Sequence, residues 1–229
     1  MKQVHGYWVP ERETRLQELL DESVALGRPA YQHRKLDAAL TLPPMRRVAI
    51  DVGSHIGMWT MQLLQHGFEH VHAFDPDPQK AECFDANLRA FVPILAGAGE
   101  TGFENVTSYP VGLGAQRQTV SLVHKSDTTL KTHVKPDPAG TLKIVPLDDF
   151  AFRDVDFIKI DVEGFEKFVV EGAEATIRRE KPVIVVEQKK QVAAKRYQIG
   201  DQDALRLLEG WGYSIFQEFN GDFVMAPPR

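Results

Sequence analysis

The sequence contains one cysteine, no excess of positive charge and no long apolar run. A single cysteine, Cys83, excludes an intrachain disulfide bond and a zinc site built from cysteines. The net charge of −5 argues against a general nucleic-acid surface, which needs clustered basic residues, so we expect no DNA partner. Because no window has the apolar length of a signal peptide or a membrane span, we expect a soluble, cytoplasmic protein without a membrane span.

The composition that remains is that of an ordinary globular protein, 43% hydrophobic and 26% charged over 229 residues. This length suits one sizeable α/β domain with an appendage better than two full domains. Leucines and valines at helical spacing in residues 11–26, followed by a second short helical stretch, predict an N-terminal helical cap over residues 1–45. Residues 46–229 then form the main domain.

Strand-like and helix-like segments alternate through the main domain. The strand-like segments "RVAID", "VDFIKID" and "PVIVVE" are apolar on both faces, which is typical of strands buried in a parallel sheet. The last two, "YSIFQ" and "DFVMA", are close enough in sequence to form an antiparallel hairpin. We therefore predict a Rossmann-like α/β sheet that is mostly parallel with an antiparallel last strand.

Residues 117–147 interrupt this alternation. The segments "TVSLV" and "LKIVPL" predict two short strands around a Pro-Asp-Pro-Ala-Gly turn. We expect this β-hairpin insertion near the carboxyl ends of the main strands, which is the edge where open α/β sheets bind ligands.

The stretch "AIDVGSHIGMWT" places a glycine-containing turn between a strand and a helix. Such a turn lets a ligand approach the backbone beside the positive end of the helix dipole. Dinucleotide sites use Gly-x-Gly-x-x-Gly, but His55 occupies the position of the second glycine. A carboxylate at Asp51 would repel a pyrophosphate and can accept from the ammonium group of a methionine moiety, so the turn favours S-adenosylmethionine. The candidate cofactor-binding residues here are Asp51, Gly53, Ser54, His55 and Gly57.

Acidic residues end two further strands. In "VHAFDPDP", Asp75 can accept hydrogen bonds from both ribose hydroxyls, and Pro76 follows it; this indicates a nucleoside, which both ligand classes contain. In "DFIKIDVEGF", Asp161 and Glu163 lie beside the expected position of a reacting methyl group. Carboxylates that end a buried strand are costly unless they are solvated or paired. The alternative for Glu163 is that it caps the following helix.

Together with these stretches, "NVTSYPVGLG", "PLDDF" and "PVIVVEQK" resemble the FkbM family of S-adenosylmethionine-dependent methyltransferases, in the family's order across residues 47–189. The family's loop commonly carries Asn where this chain has His55. The resemblance implies a class I methyltransferase, often acting on hydroxyl groups of sugars or natural products. It also implies roles for individual residues in binding the cofactor. Asp51, Gly53 and Gly57 line its methionine end, Asp75 holds the ribose, and Val111 and Gly112 border the adenine. Asp161 faces the site of the reaction.

Methyl transfer is an in-line displacement at a sulfonium, so the protein mainly aligns the acceptor and removes its proton. Asp161 and Glu163 are the candidate catalytic residues, but an alcohol has a pKa far above that of a free carboxylate. Asp161 and Glu187 end adjacent predicted strands and can hold Mg²⁺ between them. The alternative is that Glu187 only pairs with a neighbouring cation such as Lys189. Other candidate bases flank the insertion: His124 and His133.

Several functions stay open on the sequence. A nicotinamide oxidoreductase is disfavoured by His55. A DNA methyltransferase is disfavoured because the sequence has neither an Asn/Asp-Pro-Pro-aromatic run nor a suitably placed nucleophilic cysteine. A non-catalytic nucleoside-binding or interaction module is the main alternative, and an RNA methyltransferase is a further one. We predict an O-methyltransferase acting on a small-molecule or glycan acceptor, of undetermined oligomeric state.

Overall fold

The computed structural model of the protein describes residues 1–42, 45–95, 103–125 and 127–228. The chain begins with an antiparallel hairpin of β1 (Lys2–Val4) and β2 (Tyr7–Val9), which the sequence reading did not foresee. Helices α1 (Leu16–Leu26) and α2 (His33–Ala39) follow, close to the two helical stretches expected there. A domain boundary between residues 45 and 46 stays a prediction.

The main sheet and its helices occupy the rest of the chain. In the first part these are β3 (Val48–Val52), α3 (Met58–Gln65), β4 (His70–Phe74), α4 (Pro78–Leu95), a 3-10 helix (Phe103–Asn105), β5 (Val106–Tyr109), β6 (Gly112–Leu113), β7 (Gln118–Lys125), β8 (Thr128–Pro136) and β9 (Leu142–Val145). In the second part they are a 3-10 helix (Leu147–Phe150), β10 (Val155–Ile160), α5 (Glu166–Glu171), α6 (Glu174–Glu180), β11 (Val183–Glu187), α7 (Val192–Tyr197), α8 (Asp203–Gly210), β12 (Ser214–Phe219) and β13 (Asp222–Ala226).

The predicted Rossmann-like sheet is confirmed. Seven strands lie in the order β12-β13-β11-β10-β3-β4-β5, and the pairs from β11 to β5 are all parallel. Only β13 runs against its neighbours, so the antiparallel last strand is also confirmed. The central strands β3, β10 and β11 are rich in Val and Ile and almost wholly buried, because helices cover both faces of a parallel sheet.

The insertion is larger than the predicted hairpin. The two expected strands are present as β7 and β9 and pair antiparallel, but β8 lies between them in sequence and pairs with the other edge of β7. With β6 this makes a four-stranded sheet in the order β6-β9-β7-β8. Strand β8 was missed because its buried positions are threonines, which carry little apolar signal, while Lys131, Lys135 and Pro136 are exposed.

The helix-like stretch after β10, "GFEKFVVEGAEATIRR", forms two helices, α5 and α6, which separate at Gly172. A side chain there would place its Cβ 2.0 Å from the backbone oxygen of Gly114. The end of α5 therefore packs directly against the backbone that follows β6, and only glycine leaves room for this contact. The carboxylate of Asp148 accepts hydrogen bonds from the N–H groups of Ala175 and Thr176 at 2.9 and 2.8 Å. These bonds start the new helix, since they satisfy N–H groups that have no partner within it.

Apolar packing ties the N-terminal elements to the sheet. Leu36 and Ala39 of α2 join a buried cluster with Trp59 of α3, and Leu16 and Leu20 of α1 join another with α3 and α4. The largest cluster lies between the sheet, α5, α6, α8 and the inserted sheet. Among the described residues, no helix has both the length and the apolar character needed to cross a bilayer.

Candidate active site

The sheet reverses its winding between β3 and β10. From β3 the chain proceeds to β4 and β5 on one side, and β10 returns to the other side of β3. The carboxyl ends of strands at such a switch point leave a crevice in which open α/β sheets bind ligands. A cavity of about 650 Å³ opens at this place.

The cavity has two sides that differ in chemistry. One, which we call the turn side, consists of residues 52–55 after β3, 74–76 at the end of β4, and 112–113 of β6. The other, which we call the acidic side, consists of residues 161–163 after β10, Glu187 at the end of β11, and Asp222 at the start of β13. Residues of α1, of the α2 region and of β8 close the cavity above both sides.

The glycine turn on the turn side is held tightly against its neighbours. The N–H groups of Gly53 and Ser54 both donate to the carbonyl of Phe74, at 2.8 and 3.1 Å. Gly53 has a φ of +78°, and a Cβ there would lie 1.9 Å from the backbone oxygen of Asp161. Gly57 has a φ of +91° and faces Phe84 of α4 rather than the cavity. The positive φ angles and the close neighbours therefore explain why glycine occupies both positions.

The structure places Asp51 behind the cavity wall, whereas the sequence predicts a direct contact with the methionine end of the cofactor. Its side chain is fully buried, accepts a hydrogen bond from Thr60 at 2.7 Å and pairs with Lys159 at 3.2 Å. Lys159 lies opposite Asp51 on the neighbouring strand and also donates to the carbonyl of Gly53 at 2.8 Å. Burial alone would lower the pKa of Lys159, but Asp51 and then Asp161 raise it. A charged Lys159 thus braces the turn from beneath.

Asp75 lies on the cavity wall at the end of β4, where the sequence predicts a ribose contact. Its carboxylate accepts from the N–H groups of His55 and Asp77, at 3.1 and 3.0 Å, and pairs with Lys80 at 3.3 Å. A carboxylate has about four acceptor sites, so it can accept further hydrogen bonds from a ligand. Among its predicted neighbours, Pro76 and Gly112 line the cavity, whereas Val111 packs against the core.

His55 lines the cavity with its backbone in a left-handed conformation, at a φ of 54°. Its Nε2 lies 2.7 Å from the hydroxyl of Thr129 in the inserted sheet. Burial, together with the charge of Lys80 and other cations, lowers the pKa of His55 well below its usual value. The ring is therefore neutral at physiological pH.

Three carboxylates meet on the acidic side, from Asp161, Glu163 and Glu187. One oxygen of each lies within 4.8 Å of the others, so the sequence-predicted pair at the strand ends is brought together with a third member. Glu163 pairs with Arg196 of α7 at 2.9 Å and does not cap the following helix. Glu187 pairs with Lys189, as the simpler alternative expected.

This crowding changes the titration of the acidic side. Burial and then the nearby charge of Asp161 raise the pKa of Glu187 to about 9, although Lys189 opposes the shift. Burial and Asp161 likewise raise the pKa of Glu163, and Arg196 lowers it. Mutual repulsion of buried carboxylates favours a proton shared within the cluster, and such groups mark candidate reaction sites.

The N-terminal elements supply further wall residues. Tyr31 faces the acidic side; burial and then the charges of Asp161, Glu187 and Asp222 raise its pKa above the usual range. Lys35 of α2 pairs with Asp222 across the cavity mouth. Of the two candidate histidine bases, His133 lines the cavity, whereas His124 lies 2.6 Å from Arg12 outside it.

Sequence reasoning missed several residues that shape the site. Lys159 had a readable signal, because a lysine inside the apolar run "DFIKID" needs a buried acidic partner. Lys80 and Tyr31 had none, since nothing in the local sequence of a helix or loop shows which strand end it will cover. The same holds for Glu166 of α5, which accepts from the N–H groups of Gly164 and Val162 at 2.8 and 3.2 Å and fixes the loop after β10.

Comparison with known proteins places this geometry in a family. The family model described as "Methyltransferase FkbM domain" matches residues 51–215, well over half of the chain. That range begins at Asp51 and includes every predicted site residue of both cavity sides. No curated protein sequence gives a significant match.

Solved structures are similar to this chain at low sequence identity. The crystal structure of methyltransferase FkbM from Methylobacillus flagellatus matches with a TM-score of 0.52 and 16% identity, over 96% of this chain and 56% of that one. This chain thus spans little more than half the length of that relative. A precorrin-6y C5,15-methyltransferase from Geobacter metallireducens matches with a TM-score of 0.48 and 16% identity, over 96% and 92% of the two chains. An rRNA methylase from Streptococcus thermophilus matches with a TM-score of 0.47 and 14% identity, over 88% and 98%.

Proposed function

The chain belongs to the FkbM methyltransferase family, and from that premise we propose that it methylates a hydroxyl oxygen of a small-molecule or glycan acceptor. The family's cofactor is S-adenosylmethionine, and the fold is that of the class I enzymes. The observation that carries the proposal is the convergence of a glycine turn, Asp75 and Asp161 on one cavity of about 650 Å³. A nucleoside and an acceptor can share a cavity of this size.

The turn side has the donors and surfaces that the cofactor requires. Asp75 is proposed to accept from the ribose hydroxyls, and the apolar lining nearby, which includes Pro76 and Ile144, suits a purine. Gly112 lies beside both residues, and a Cβ there would meet Ile144 at 2.5 Å. When bound, S-adenosylmethionine supplies an electrophilic methyl group on a sulfonium.

The acidic side is proposed to hold the acceptor and take its proton. Asp161 is the proposed general base, because it lies on the cavity wall, and no ion pair to it is found among the described residues. Glu163 and Glu187 keep their pairs with Arg196 and Lys189, and their raised pKa values support proton uptake on this side of the cavity. The acceptor oxygen forms the new bond to carbon as its O–H proton passes to the cluster.

A divalent metal is a second proposal for the same cluster. Three carboxylate oxygens within 4.8 Å of one another are a donor set that Mg²⁺ accepts, with water completing an octahedron. Mg²⁺ at this position would take the place of Lys189 beside Glu187 and lower the pKa of the acceptor hydroxyl. Turnover with Mg²⁺ and with EDTA distinguishes the two routes: loss of activity in EDTA that Mg²⁺ restores supports the metal.

The first experiment is calorimetric titration of S-adenosylmethionine and S-adenosylhomocysteine into the wild type, Asp75→Ala and Asp85→Ala. Asp85 is exposed on α4, away from the cavity, and serves as the matched control. We expect saturable binding to the wild type and Asp85→Ala, and at least about tenfold weaker binding to Asp75→Ala, since charge-assisted hydrogen bonds are lost.

Acceptor screening follows from that binding. Methyl transfer to hydroxylated small molecules, glycans and RNA would be measured through the release of S-adenosylhomocysteine. Wild type that binds neither cofactor form, alone or with acceptor mixtures, would reject the methyltransferase proposal. Binding without transfer to any acceptor would favour the non-catalytic nucleoside-binding module instead.

A further inference from the structure

One buried carboxylate joins three parts of the cavity wall. Glu13 lies in the segment before α1, with only 1% of its surface exposed. Its Oε1 accepts from the N–H groups of Arg15 and Leu16 at 2.7 and 3.1 Å, which starts α1. Burial would raise the pKa of Glu13, but hydrogen bonds led by that from Thr129 lower it, so the group is ionised.

The same carboxylate holds the first residues of β8. Two hydroxyls donate to it, that of Thr128 at 3.1 Å and that of Thr129 at 2.7 Å, and the N–H of Thr129 donates at 2.5 Å. Both threonines are 1% exposed. These bonds connect residues more than 100 positions apart in sequence, so they anchor the inserted sheet to the N-terminal segment.

The direction of this chain of hydrogen bonds is fixed. An ionised carboxylate only accepts, so the single proton of the Thr129 hydroxyl points to Glu13. The Thr129 oxygen must then accept from His55, whose Nε2 lies 2.7 Å away. The neutral ring of His55 therefore carries its proton on Nε2 and keeps a lone pair on Nδ1. Glu13 thus sets both the orientation and the tautomer of a ring on the turn side.

We propose that Glu13, acting through Thr129, is a positioning residue for cofactor binding, because it holds His55 in the form that meets the cofactor. This rests on the proposed function, which places S-adenosylmethionine against the glycine turn. His55 then presents an acceptor to an N–H or O–H group of the cofactor, and does not donate to its carboxylate. The affinity of the turn side depends in this way on a residue outside the cavity wall.

Two neighbouring threonines provide the test. Thr129→Val and Thr128→Val each remove one hydroxyl bonded to Glu13 and keep the side-chain shape, but only Thr129 contacts His55. We expect Thr129→Val to weaken S-adenosylhomocysteine binding about fivefold in calorimetry, as for the loss of one net hydrogen bond. Thr128→Val should bind within about twofold of wild type, with both variants losing about 2–4 °C in Tm. Thr129→Ser, which keeps the hydroxyl, should bind like the wild type.

A double-mutant cycle separates positioning from a general effect on folding. Asn tolerates the left-handed φ of His55 but is too short to reach Thr129, so His55→Asn disconnects the chain. In the His55→Asn background, Thr129→Val should no longer change affinity. Equal weakening by both valine variants, or an unchanged effect of Thr129→Val in that background, would overturn the inference. Wild type without measurable binding would instead reject the proposed function, and the inference with it.

Discussion

The two sides of the cavity treat charge in opposite ways. On the turn side, Asp51 is buried with Lys159 and Asp75 with Lys80, so each carboxylate has a close cation. On the acidic side, three carboxylates approach within 4.8 Å, and Glu163 and Glu187 pair with Arg196 and Lys189, whereas Asp161 has no ion pair among the described residues. The turn side is assembled before any ligand arrives, whereas the acidic side stores repulsion that a proton, a cation or an acceptor can relieve.

In the proposed function, this difference in charge pairing separates cofactor binding on the turn side from proton transfer on the acidic side. A preorganised turn side lowers the cost of ordering a cofactor, since little has to be rearranged on binding. A crowded acidic side costs stability but raises proton affinity near the expected methyl group, which suits a general base. Substitutions on the two sides should therefore have different signatures in stability and in turnover.

The largest expected effect is on turnover, from Asp161→Asn. Removing the proposed base should lower kcat by about 10²–10⁴-fold, while cofactor affinity stays within about threefold. The free energy of unfolding should stay constant or rise, because Asp161 repels Glu187 and Glu163. Kinetics with an acceptor from the screen and chemical denaturation measure the two quantities.

Glu163→Gln is the companion variant for that prediction. Arg196 neutralises Glu163 already, so kcat should fall less than tenfold. Equal losses in both variants would show that the cluster acts as one unit and would remove the special role of Asp161. A large loss of stability in Asp161→Asn would contradict the stored repulsion.

The next effect is on stability, from Lys159→Met. The variant keeps the apolar stem but leaves Asp51 buried without its cation, which should cost about 3–5 kcal/mol in the free energy of unfolding. Lys167→Met is the control, because Lys167 pairs with Glu171 at the surface, where such pairs contribute about 0–1 kcal/mol. Urea denaturation of both variants measures the difference. Similar losses would mean that Lys159 does not brace the turn side.

The sequence predicts the strand-end residues of both sides better than the residues that cover or brace them, and the reason is the range of the contacts. Gly53 and Asp75 follow strands whose local pattern is readable, so their places at the sheet edge could be derived. The pair of Lys35 and Asp222 joins positions 187 apart, and Glu13 reaches Thr129 across 116. No local pattern specifies which strand end a distant helix covers, so these contacts depend on packing that only the folded chain shows.

A smaller loss is expected from Gly53→Ala. The new Cβ would lie 1.9 Å from the Asp161 backbone oxygen at a φ of +78°, so the cost combines overpacking and strain, about 2–4 kcal/mol. Gly67→Ala is the matched control: φ is +86°, but the Cβ meets nothing within 4 Å, so only about 1 kcal/mol is lost. Thermal unfolding compares the two. Equal losses would show that strain alone matters and that the contact between the turn and β10 is loose.

The smallest effect is a pH dependence, from Glu166→Gln beside the acidic side. Burial raises the pKa of Glu166 to about 7, although its hydrogen bond from Gly164 opposes this. The protonated acid can donate to Gln188, whose buried Oε1 has no hydrogen-bond partner among the described residues. A raised carboxyl pKa stabilises the fold fully below the unfolded pKa of about 4.3, and this stabilisation is lost as pH rises through 7.

Glutamine at position 166 imitates the protonated acid at every pH. It keeps an acceptor for Gly164 and gains a donor for Gln188 once that amide is turned over, so it should come nearest to the wild type at pH 5, the lowest pH measured. Between pH 5 and pH 8 the excess of the variant's unfolding free energy over that of the wild type should grow by about 1–3 kcal/mol, the equivalent of one to two pKa units. Denaturation curves at pH 5, 7 and 8 measure this. A constant difference in unfolding free energy across that range would mean that Glu166 stays ionised. The raised carboxyl pKa values would then be confined to the acidic side itself.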